Sequence, residues 1–303
     1  MTINFSQKVT PNSGKVKPRR QGSTLPALSG WAFLLLFFAI VLLPKPVYAV
    51  SEQGLIGWWK FEEATGTVAT DSSGNGNHGS TTNMANPPTA TSGRTGNGKF
   101  GRALNFDGSN DFVHVYGGPT LTNLANKITV SAWVKKVDSS SFPRIVNKKN
   151  SINDLSGFDI SSSANTGTII VRGSSSSGYS ATSCATSVTH AQWTHVVVVF
   201  DGTSSYTYCN NRLAGSGTVA TVVGTTYPLE IGRIASEANY MKGIIDDVRI
   251  YSKVLSDDEI RNATWSYLSY APNDLLLIDW NTAILIDEKS DDVKAVLEFV
   301  NVE

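Results

Sequence analysis

Alternating apolar and polar positions recur through most of the chain and predict β-strands. From Ile128 to Lys135, the apolar residues Ile, Val, Ala and Val alternate with Thr, Ser, Trp and Lys, which predicts a half-buried strand with the first set facing inward. Residues 196–200 are apolar at every position and predict a central strand covered on both faces. Asp-Gly pairs at 107–108 and 201–202 and a Gly-Ser run at 173–178 predict turns. Together, these strand and turn patterns predict an all-β fold, a two-sheet antiparallel jelly-roll sandwich.

Helical patterning is confined to the C-terminal part of the chain. Ser256 and Glu259 form a capping box after the predicted strand 244–251, so a short helix should begin there and pack Leu255 and Ile260 onto the sandwich edge. The tail, residues 265–303, is too short for an independent core. Its apolar runs predict two short strands, 275–278 and 283–286. Its last part predicts a helix with Ser290 as the N-cap and one apolar face formed by Val293, Val296, Leu297 and Val300. Three roles stay open for it: docking on the sandwich, pairing with a partner chain, or no ordered structure.

The N-terminal segment 1–49 has the organisation of a signal peptide. All its charges are basic, and the first acidic residue of the chain is Glu52. An apolar run from Trp31 to Leu43 follows, which is short for a membrane-spanning helix. Small residues then precede Val50, which predicts cleavage after Ala49 and a secreted or cell-surface protein. An uncleaved anchor is the alternative.

Charge argues against two classes of partner for the exported chain. The full sequence has 25 basic and 25 acidic residues, and removing the six basic residues of segment 1–49 leaves 19 and 25, a net charge of −6. Nucleic acids and anionic membranes require clustered Lys and Arg side chains. We therefore expect no nucleic-acid partner and no membrane insertion of the mature chain. The oligomeric state is not predicted by the sequence.

Six segments, in order, carry a family resemblance. They are GLIGWWKFEE (54–63) with DSSGNGNHG (71–79), then ALNFDGSNDFVHV (103–115), ITVSAWVK (128–135), QWTHVVVVFDG (192–202) and GIIDDVRIYSKVLSDDEI (243–260). Together they resemble the laminin-G-like, concanavalin-A-like jelly-roll family over residues 50–264. The resemblance implies a jelly-roll sandwich with a short helix after its last strand. It also implies a secreted recognition module rather than an enzyme.

The two cysteines, Cys184 and Cys209, both belong to the predicted exported part. An oxidising compartment and two strand-like contexts favour a disulfide between them. Cys209 also stands where the family usually has an aliphatic residue. Two free thiols on strands that do not face each other are the alternative.

Four acidic side chains are candidate ligands for a structural calcium ion. Glu62, Asp71, Asp107 and Asp246 lie in or beside turns and in the last strand, and Ca²⁺ prefers carboxylate and carbonyl oxygens in flexible loops. In jelly-roll modules of this type the first and last strands are often neighbours, which would bring Glu62 and Asp246 together with Asp71 nearby. The alternative is that these carboxylates accept hydrogen bonds from backbone N–H groups and form turns.

Aromatic residues provide candidate ligand contacts, because sugar rings stack their C–H faces on exposed aromatics. Strand parity places Leu55, Trp59 and Phe61 in the core. The candidate sugar platforms are Trp58, Trp133, Tyr179 and Tyr240. The alternative is that a neighbouring loop covers each tryptophan. His195 is expected to make a structural hydrogen bond.

Catalytic motifs are not readable in the sequence. It has no H-E-x-x-H, G-x-S-x-G or P-loop pattern, and the E-x-D-x-x-E pattern of related glycosidases is absent. The sequence therefore favours a secreted, non-catalytic module that binds a glycan. A structural or adhesive module with an extracellular protein ligand, and a glycosidase with an unrecognised acid pair, stay as alternatives.

Overall fold

A computed structural model describes residues 53–124, 126–137, 142–163, 167–174, 179–184, 192–219, 221–237, 239–265, 276–279 and 282–285. They include two eight-stranded sheets whose strand pairs are antiparallel. The signal segment expected before Val50 and the helix expected after Ser290 lie outside these residues. No helix in the described part of the chain is long and apolar enough to cross a membrane.

One sheet, sheet A, contains both the first and the last strand of the sandwich. In spatial order its strands are β14 (Arg212–Thr218), β13 (Ser204–Cys209), β12 (Trp193–Asp201), β7 (Lys127–Lys136), β16 (Lys242–Tyr251), β5 (Ala103–Asp107) and β4 (Gly93–Thr95). The first strand, β1 (Leu55–Trp59), also pairs with β16. The expected neighbourhood of first and last strands is therefore present.

The opposing sheet, sheet B, has shorter strands. In spatial order they are β11 (Ser180–Ser183), β10 (Thr168–Arg172), β9 (Asp159–Ser162), β8 (Arg144–Asn147), β15 (Leu229–Ile231), β6 (Phe112–Val115), β3 (Gly79–Thr82) and β2 (Val68–Ala69). A four-residue helix, α1 (Pro119–Thr122), follows β6. The inward residues of both sheets form one hydrophobic core.

The core follows the parity of the sequence, with one exception in β1. The apolar set of β7 from Ile128 to Val134 is buried in this core, and β12 is buried on both faces as predicted. Trp59 and Phe61 also lie in it. Leu55 is buried as predicted, but on the other face of sheet A, because the β1–β16 register shifts between Leu55 and Gly57.

The predicted helix, α2 (Asp257–Trp265), covers part of the outer face of sheet A. Its capping box is formed: the Ser256 N–H donates to Glu259 Oε2 at 3.0 Å, and the Glu259 N–H donates to Ser256 Oγ at 3.3 Å. Leu255 and Ile260 join Val197 and Val199 in a second apolar cluster there. The tail contributes β17 (Leu276–Asp279) and β18 (Thr282–Leu285), which pair with each other and match the predicted strands within one residue.

The predicted disulfide is present. Cys184, just after edge strand β11, is bonded to Cys209 at the end of β13, with their Cα atoms 5.8 Å apart. It therefore joins sheet B to sheet A. The hairpin after Cys209 turns through Asn210 and Asn211 with φ of 49° and 66°, the left-handed conformation that asparagine tolerates.

Candidate functional site

Four loops meet at one end of sheet B. The loops follow β6, β8 and β10 and precede β9, β11 and β15, and their described residues are 116–124, 126, 148–158, 173–174, 179 and 222–228. The register of these strands brings all four to the same end of the sheet. We call this group of loops the loop end. In β-sandwiches such loop clusters commonly carry binding function, because the sheets hold them in a fixed arrangement.

Hydrogen bonds connect the loops of the loop end to one another. The Gly157 N–H donates to Val223 O at 2.8 Å, and the Val223 N–H donates to Ser174 Oγ at 2.7 Å. The Asn126 N–H donates to Val222 O at 2.7 Å. Segment 222–228 is thus tied to each of the other three, which makes the described part of the loop end one connected surface.

Large side chains on this surface remain exposed. Tyr116 is 78% exposed, Leu155 67%, Tyr179 58% and Val223 50%. Tyr116 and Tyr179 lie beside β6 and β11, which are five strand spacings apart in sheet B, a span of about 24 Å. Both rings are supported from below: Tyr116 packs edge-on against His114 with centroids 4.2 Å apart, and the Arg172 guanidinium lies 5.5 Å from the Tyr179 ring.

An open polar depression lies in the same loops. Its volume is about 560 Å³, and it is lined by Thr122, Asn123, Gly224, Thr225 and Thr226. These residues present hydroxyl and amide groups without formal charge.

Below the loops, Lys148 is buried and its Nζ donates to Tyr227 O at 2.5 Å. Burial lowers the pKa of Lys148 to about 8, so the loop end has a partly neutral amine beneath it near that pH.

Behind the loop end, the outer face of sheet B carries charges that are matched to each other. Asp159 is fully buried and pairs with Arg144 at 3.0 Å and with Arg172 at 2.8 Å. Glu230 pairs with Arg233 at 2.6 Å and contacts the His114 ring at 3.0 Å. These carboxylates therefore have basic partners within the domain, which leaves few acceptor sites on them for a ligand.

The four aromatic candidates from the sequence separate into two groups. Tyr179 belongs to the loop end, and Tyr240, half-buried, lies beside Arg233 at the opposite end of the sheet B face. Trp58 and Trp133 lie on the outer face of sheet A. Trp58 is half-buried, with the Lys60 ammonium 3.9 Å and the Arg249 guanidinium 4.6 Å from its ring.

Trp133 has no open ring face for a sugar, which corrects the prediction made for it. It is only 6% exposed, because its ring stacks on His195 at 4.9 Å, meets Phe100 edge-on at 5.8 Å and lies 4.5 Å from the Lys99 ammonium. The alternative reading, a tryptophan covered by a neighbouring loop, is what the structure has at this position.

The four carboxylates named for calcium each bind backbone N–H groups. Asp71 Oδ1 accepts from Trp58 at 2.9 Å and from Ser73 at 2.8 Å, and Asp107 Oδ1 accepts from Ser109 at 2.7 Å. Among the described residues, no group of three or more His, Cys, Asp or Glu side chains is placed to hold a metal ion. The four carboxylates therefore do not converge on one site, although each bonds as the turn-former alternative expects.

Glu62 and Asp246 nevertheless contact the same loop. Glu62 Oε2 accepts from the Arg102 N–H at 3.0 Å, and Asp246 Oδ2 accepts from the Phe100 N–H at 3.0 Å. Asp246 is 1% exposed, and its Oδ1 has no hydrogen-bond partner in the described part of the chain. Burial, reinforced by the neighbouring Asp247, raises the pKa of Asp246 to about 8.

His195 makes the structural hydrogen bond expected of it. The bond joins its Nε2 to Ser131 Oγ at 2.8 Å, and the side chain is fully buried. Burial, followed by the positive charge of Arg249, lowers the pKa of His195 to about 3, so this imidazole is neutral at physiological pH.

Comparison with known families decides the relationship of the chain. The family model described as the concanavalin A-like lectin/glucanases superfamily matches residues 107–261, half of the chain. The chain belongs to this superfamily. A second model, for the N-terminal domain of an uncharacterized protein, matches residues 239–292. No curated protein sequence matches the chain.

Solved structures share the fold of this superfamily member. Domain 4 of AbnA, an extracellular GH43 arabinanase from Geobacillus stearothermophilus in complex with arabinotriose, is 23% identical with a TM-score of 0.54, over 69% of this chain and 97% of that domain. The binding domain of Paraclostridial Mosquitocidal Protein 1 is 15% identical with a TM-score of 0.58, over 76% of this chain and 55% of its own length. A Trypanosoma rangeli sialidase in complex with sialic acid is 18% identical with a TM-score of 0.50, over 71% of this chain and 33% of its own.

The superfamily domain thus spans about half of the toxin binding domain and a third of the sialidase. At these identities the likeness shows the fold alone. The residues that sequence reasoning missed are those of the loop end other than Tyr179. Three of them lie in Gly- or Ser-rich sequences that are typical of turns: Tyr116, Leu155 and Val223. In such a turn no neighbouring strand covers a large apolar side chain. That contrast is the signal that could have found them.

Proposed function

We propose that the domain is a secreted, non-catalytic carbohydrate-binding module and that its loop end contacts the glycan. One observation carries the proposal: exposed Tyr116, Leu155, Tyr179 and Val223 accompany a depression lined by uncharged hydroxyl and amide groups. Sugars combine apolar C–H faces with hydroxyls, so they need aromatic surfaces and hydrogen-bonding groups together. The arabinotriose complex of AbnA domain 4 and the sialic acid complex of the sialidase support the proposal by analogy of fold.

The non-catalytic part of the proposal draws on the carboxylates of the sheet B face. Glycoside hydrolysis uses two carboxyl groups on either side of the scissile bond, one of which donates a proton. Asp159 and Glu230 are instead buried and paired with arginines of the same face. Export rests on the basic stretch and the apolar run before Ala49.

Binding to soluble glycans tests this function. Calorimetry against an oligosaccharide series should show affinity that rises with chain length, because the exposed tyrosines span about 24 Å across the strands. Tyr116→Ala and Tyr179→Ala should each weaken binding about tenfold, equivalent to about 1.4 kcal/mol. Leu213→Ala is the matched control, because Leu213 is 55% exposed on edge strand β14, outside the loop end. Binding that survives both tyrosine changes would place the site elsewhere.

A further inference from the structure

Charged residues are almost missing from the sequence of the loop end. Segments 116–126, 173–179 and 222–228 contain no Asp, Glu, Lys, Arg or His. In the fourth segment, 148–158, the charged residues are Lys148, Lys149 and Asp154. The remainder of the exported chain is richer in charge, so the loop end differs in composition from the surface around it.

The three charged groups of that fourth segment bind within the protein. Lys148 and Lys149 are both buried, and their Nζ atoms donate to the carbonyls of Tyr227 and Gly173, at 2.5 Å and 2.7 Å. Asp154 Oδ2 accepts from the Asn150 and Ser151 N–H groups, each at 2.8 Å. The two lysines are therefore bound to loop carbonyls, and the half-buried Asp154 is bound to backbone N–H groups of its own loop.

Arginine beside the loop end is also committed. The Arg172 guanidinium lies 5.5 Å from the Tyr179 ring, and its Nη1 donates to Asp159 Oδ2 at 2.8 Å. Selective binding of a carboxylated or sulfated sugar requires a guanidinium or ammonium that is available for a bidentate or charge-assisted contact. The exported chain has a net charge of −6, which adds a repulsion for polyanions.

We infer that the loop end selects neutral glycans and discriminates against glycans that carry carboxylate or sulfate groups. The inference rests on the proposed function and names its ligand class. Threonine hydroxyls and the Asn123 amide can exchange hydrogen bonds with sugar hydroxyls, whereas an anionic group placed there would lose hydration without gaining a cation. Arabinotriose, the sugar in the AbnA domain 4 complex, belongs to the neutral class that this inference favours, and sialic acid, the sugar in the sialidase complex, belongs to the anionic class that it disfavours.

Matched pairs of probes test the inference. Calorimetry and affinity electrophoresis would compare dextran with dextran sulfate, lactose with sialyllactose, and arabinan with polygalacturonate. We expect at least one neutral probe to bind, with an affinity that changes less than twofold between low and high salt, and each acidic partner to bind at least tenfold more weakly. Tighter binding of an acidic probe than of its neutral partner would overturn the inference and leave the carbohydrate-binding function intact. Binding of no probe at all would overturn both.

A gain-of-charge variant provides the second arm. Thr226 lines the depression and is exposed, so Thr226→Lys places a free ammonium on the surface without disturbing the core. This variant should bind the acidic partner of the preferred neutral probe at least tenfold more tightly than the wild type does, and the gain should vanish at high salt. Thr203→Lys, at an exposed turn outside the four loops, is the matched control and should leave the preference unchanged. An equal gain in both variants would mean that overall charge, not the loop end, sets the preference.

Discussion

The outer face of sheet A and the loop end of sheet B have opposite surface properties. The sheet A face carries Trp133, His195, Asp246 and Arg249, all at most 6% exposed, beneath α2 and the 97–102 loop; we call it the covered face. The loop end has large apolar side chains exposed, its two lysines buried and its one carboxylate, Asp154, half-buried. Charged side chains thus lie where neighbouring elements provide hydrogen-bond or ion-pair partners. The uncharged hydroxyl and amide groups of the loop end are exposed to solvent.

This difference separates residues that stabilise the domain from residues available for binding. On the covered face, removal of a polar group leaves a buried partner without compensation, which is costly. On the loop end, removal of a side chain changes only solvent-exposed surface. Loss of one partner of a buried ion pair on the covered face should therefore lower stability, and changes at the loop end should lower affinity.

The largest effect is expected from Arg249→Met. Arg249 is fully buried, its Nη2 lies 2.8 Å from Asp247 Oδ2, and its Nη1 donates to Ala263 O at 3.1 Å. The change leaves Asp247 buried without its cation, so the free energy of unfolding should fall by about 3–5 kcal/mol. Denaturant unfolding measures it. Arg261→Met, which removes an exposed partner of Asp258, is the control and should cost at most about 1 kcal/mol. Equal costs in the two variants would contradict the comparison.

Removal of the disulfide should have the next largest effect. Cys184 and Cys209 are 25 positions apart, and a disulfide that closes a loop of this size stabilises the folded state by about 3 kcal/mol in the loop-entropy model. The double change Cys184→Ser and Cys209→Ser should lower the melting temperature. Because both cysteines lie away from the loop end, glycan affinity measured below the melting transition should not change. A parallel loss of affinity would show that the two regions are coupled.

Calcium tests the covered face in a different way. The four candidate carboxylates do not converge on one site, but Glu62 and Asp246 bind N–H groups of the same loop and are the pair that could share an ion. If calcium binds there, it should stabilise the fold by about 2.7 kcal/mol at a hundredfold excess over its dissociation constant. Melting in millimolar calcium should then exceed melting in chelator. Asp246→Asn should reduce the difference more than Asp257→Asn, since Asp257 lies in the exposed first turn of α2. Identical melting temperatures in both buffers would leave the four carboxylates as turn and loop formers.

The pH dependence of stability provides a further test of the covered face. Because burial raises the pKa of Asp246 to about 8, the folded state holds this proton more tightly than the unfolded state does. Its contribution to stability is complete below about pH 4 and is lost as the pH rises through about 8. Asp246→Asn should therefore stabilise the domain relative to wild type increasingly across that window. Asp258→Asn, at a side chain that is 83% exposed, should not reproduce this slope. A wild-type profile parallel to that of Asp246→Asn would contradict the prediction.

The smallest stability effect is expected at the loop end. Tyr179→Ala removes a ring that is 58% exposed, so the free energy of unfolding should change by at most about 0.5 kcal/mol. Glycan affinity should fall in the same variant, as proposed above. A stability loss comparable to that of Arg249→Met would mean that Tyr179 belongs to the structural part of the domain.

The sequence predicted the elements whose signals are local. Alternation over 128–135 correctly predicted four core residues, and the capping box at Ser256 correctly predicted the start of α2. The hairpin at 210–211 is formed with both asparagines in the left-handed conformation, as expected. Leu55 is buried as predicted, but on the opposite face of sheet A from Trp59, because parity counting assumes an unbroken register and the β1–β16 register shifts beside it. The platform prediction at Trp133 was wrong for a different reason. Strand parity correctly predicted that the Trp133 ring faces away from the core. The 97–102 loop and His195 nevertheless cover the ring on that outer side of the sheet.

By itself, the sequence determined the fold, the strand faces, the helix cap and the charge balance, because periodicity, capping and composition act over a few residues. Only the tertiary structure decided which outward-facing side chains are open. Tyr116, Leu155 and Val223 belong to loops that are distant in the chain, and strand order brings those loops to one end of sheet B. Exposure depends on which segments fold over a side chain, a long-range property that one strand's pattern does not contain.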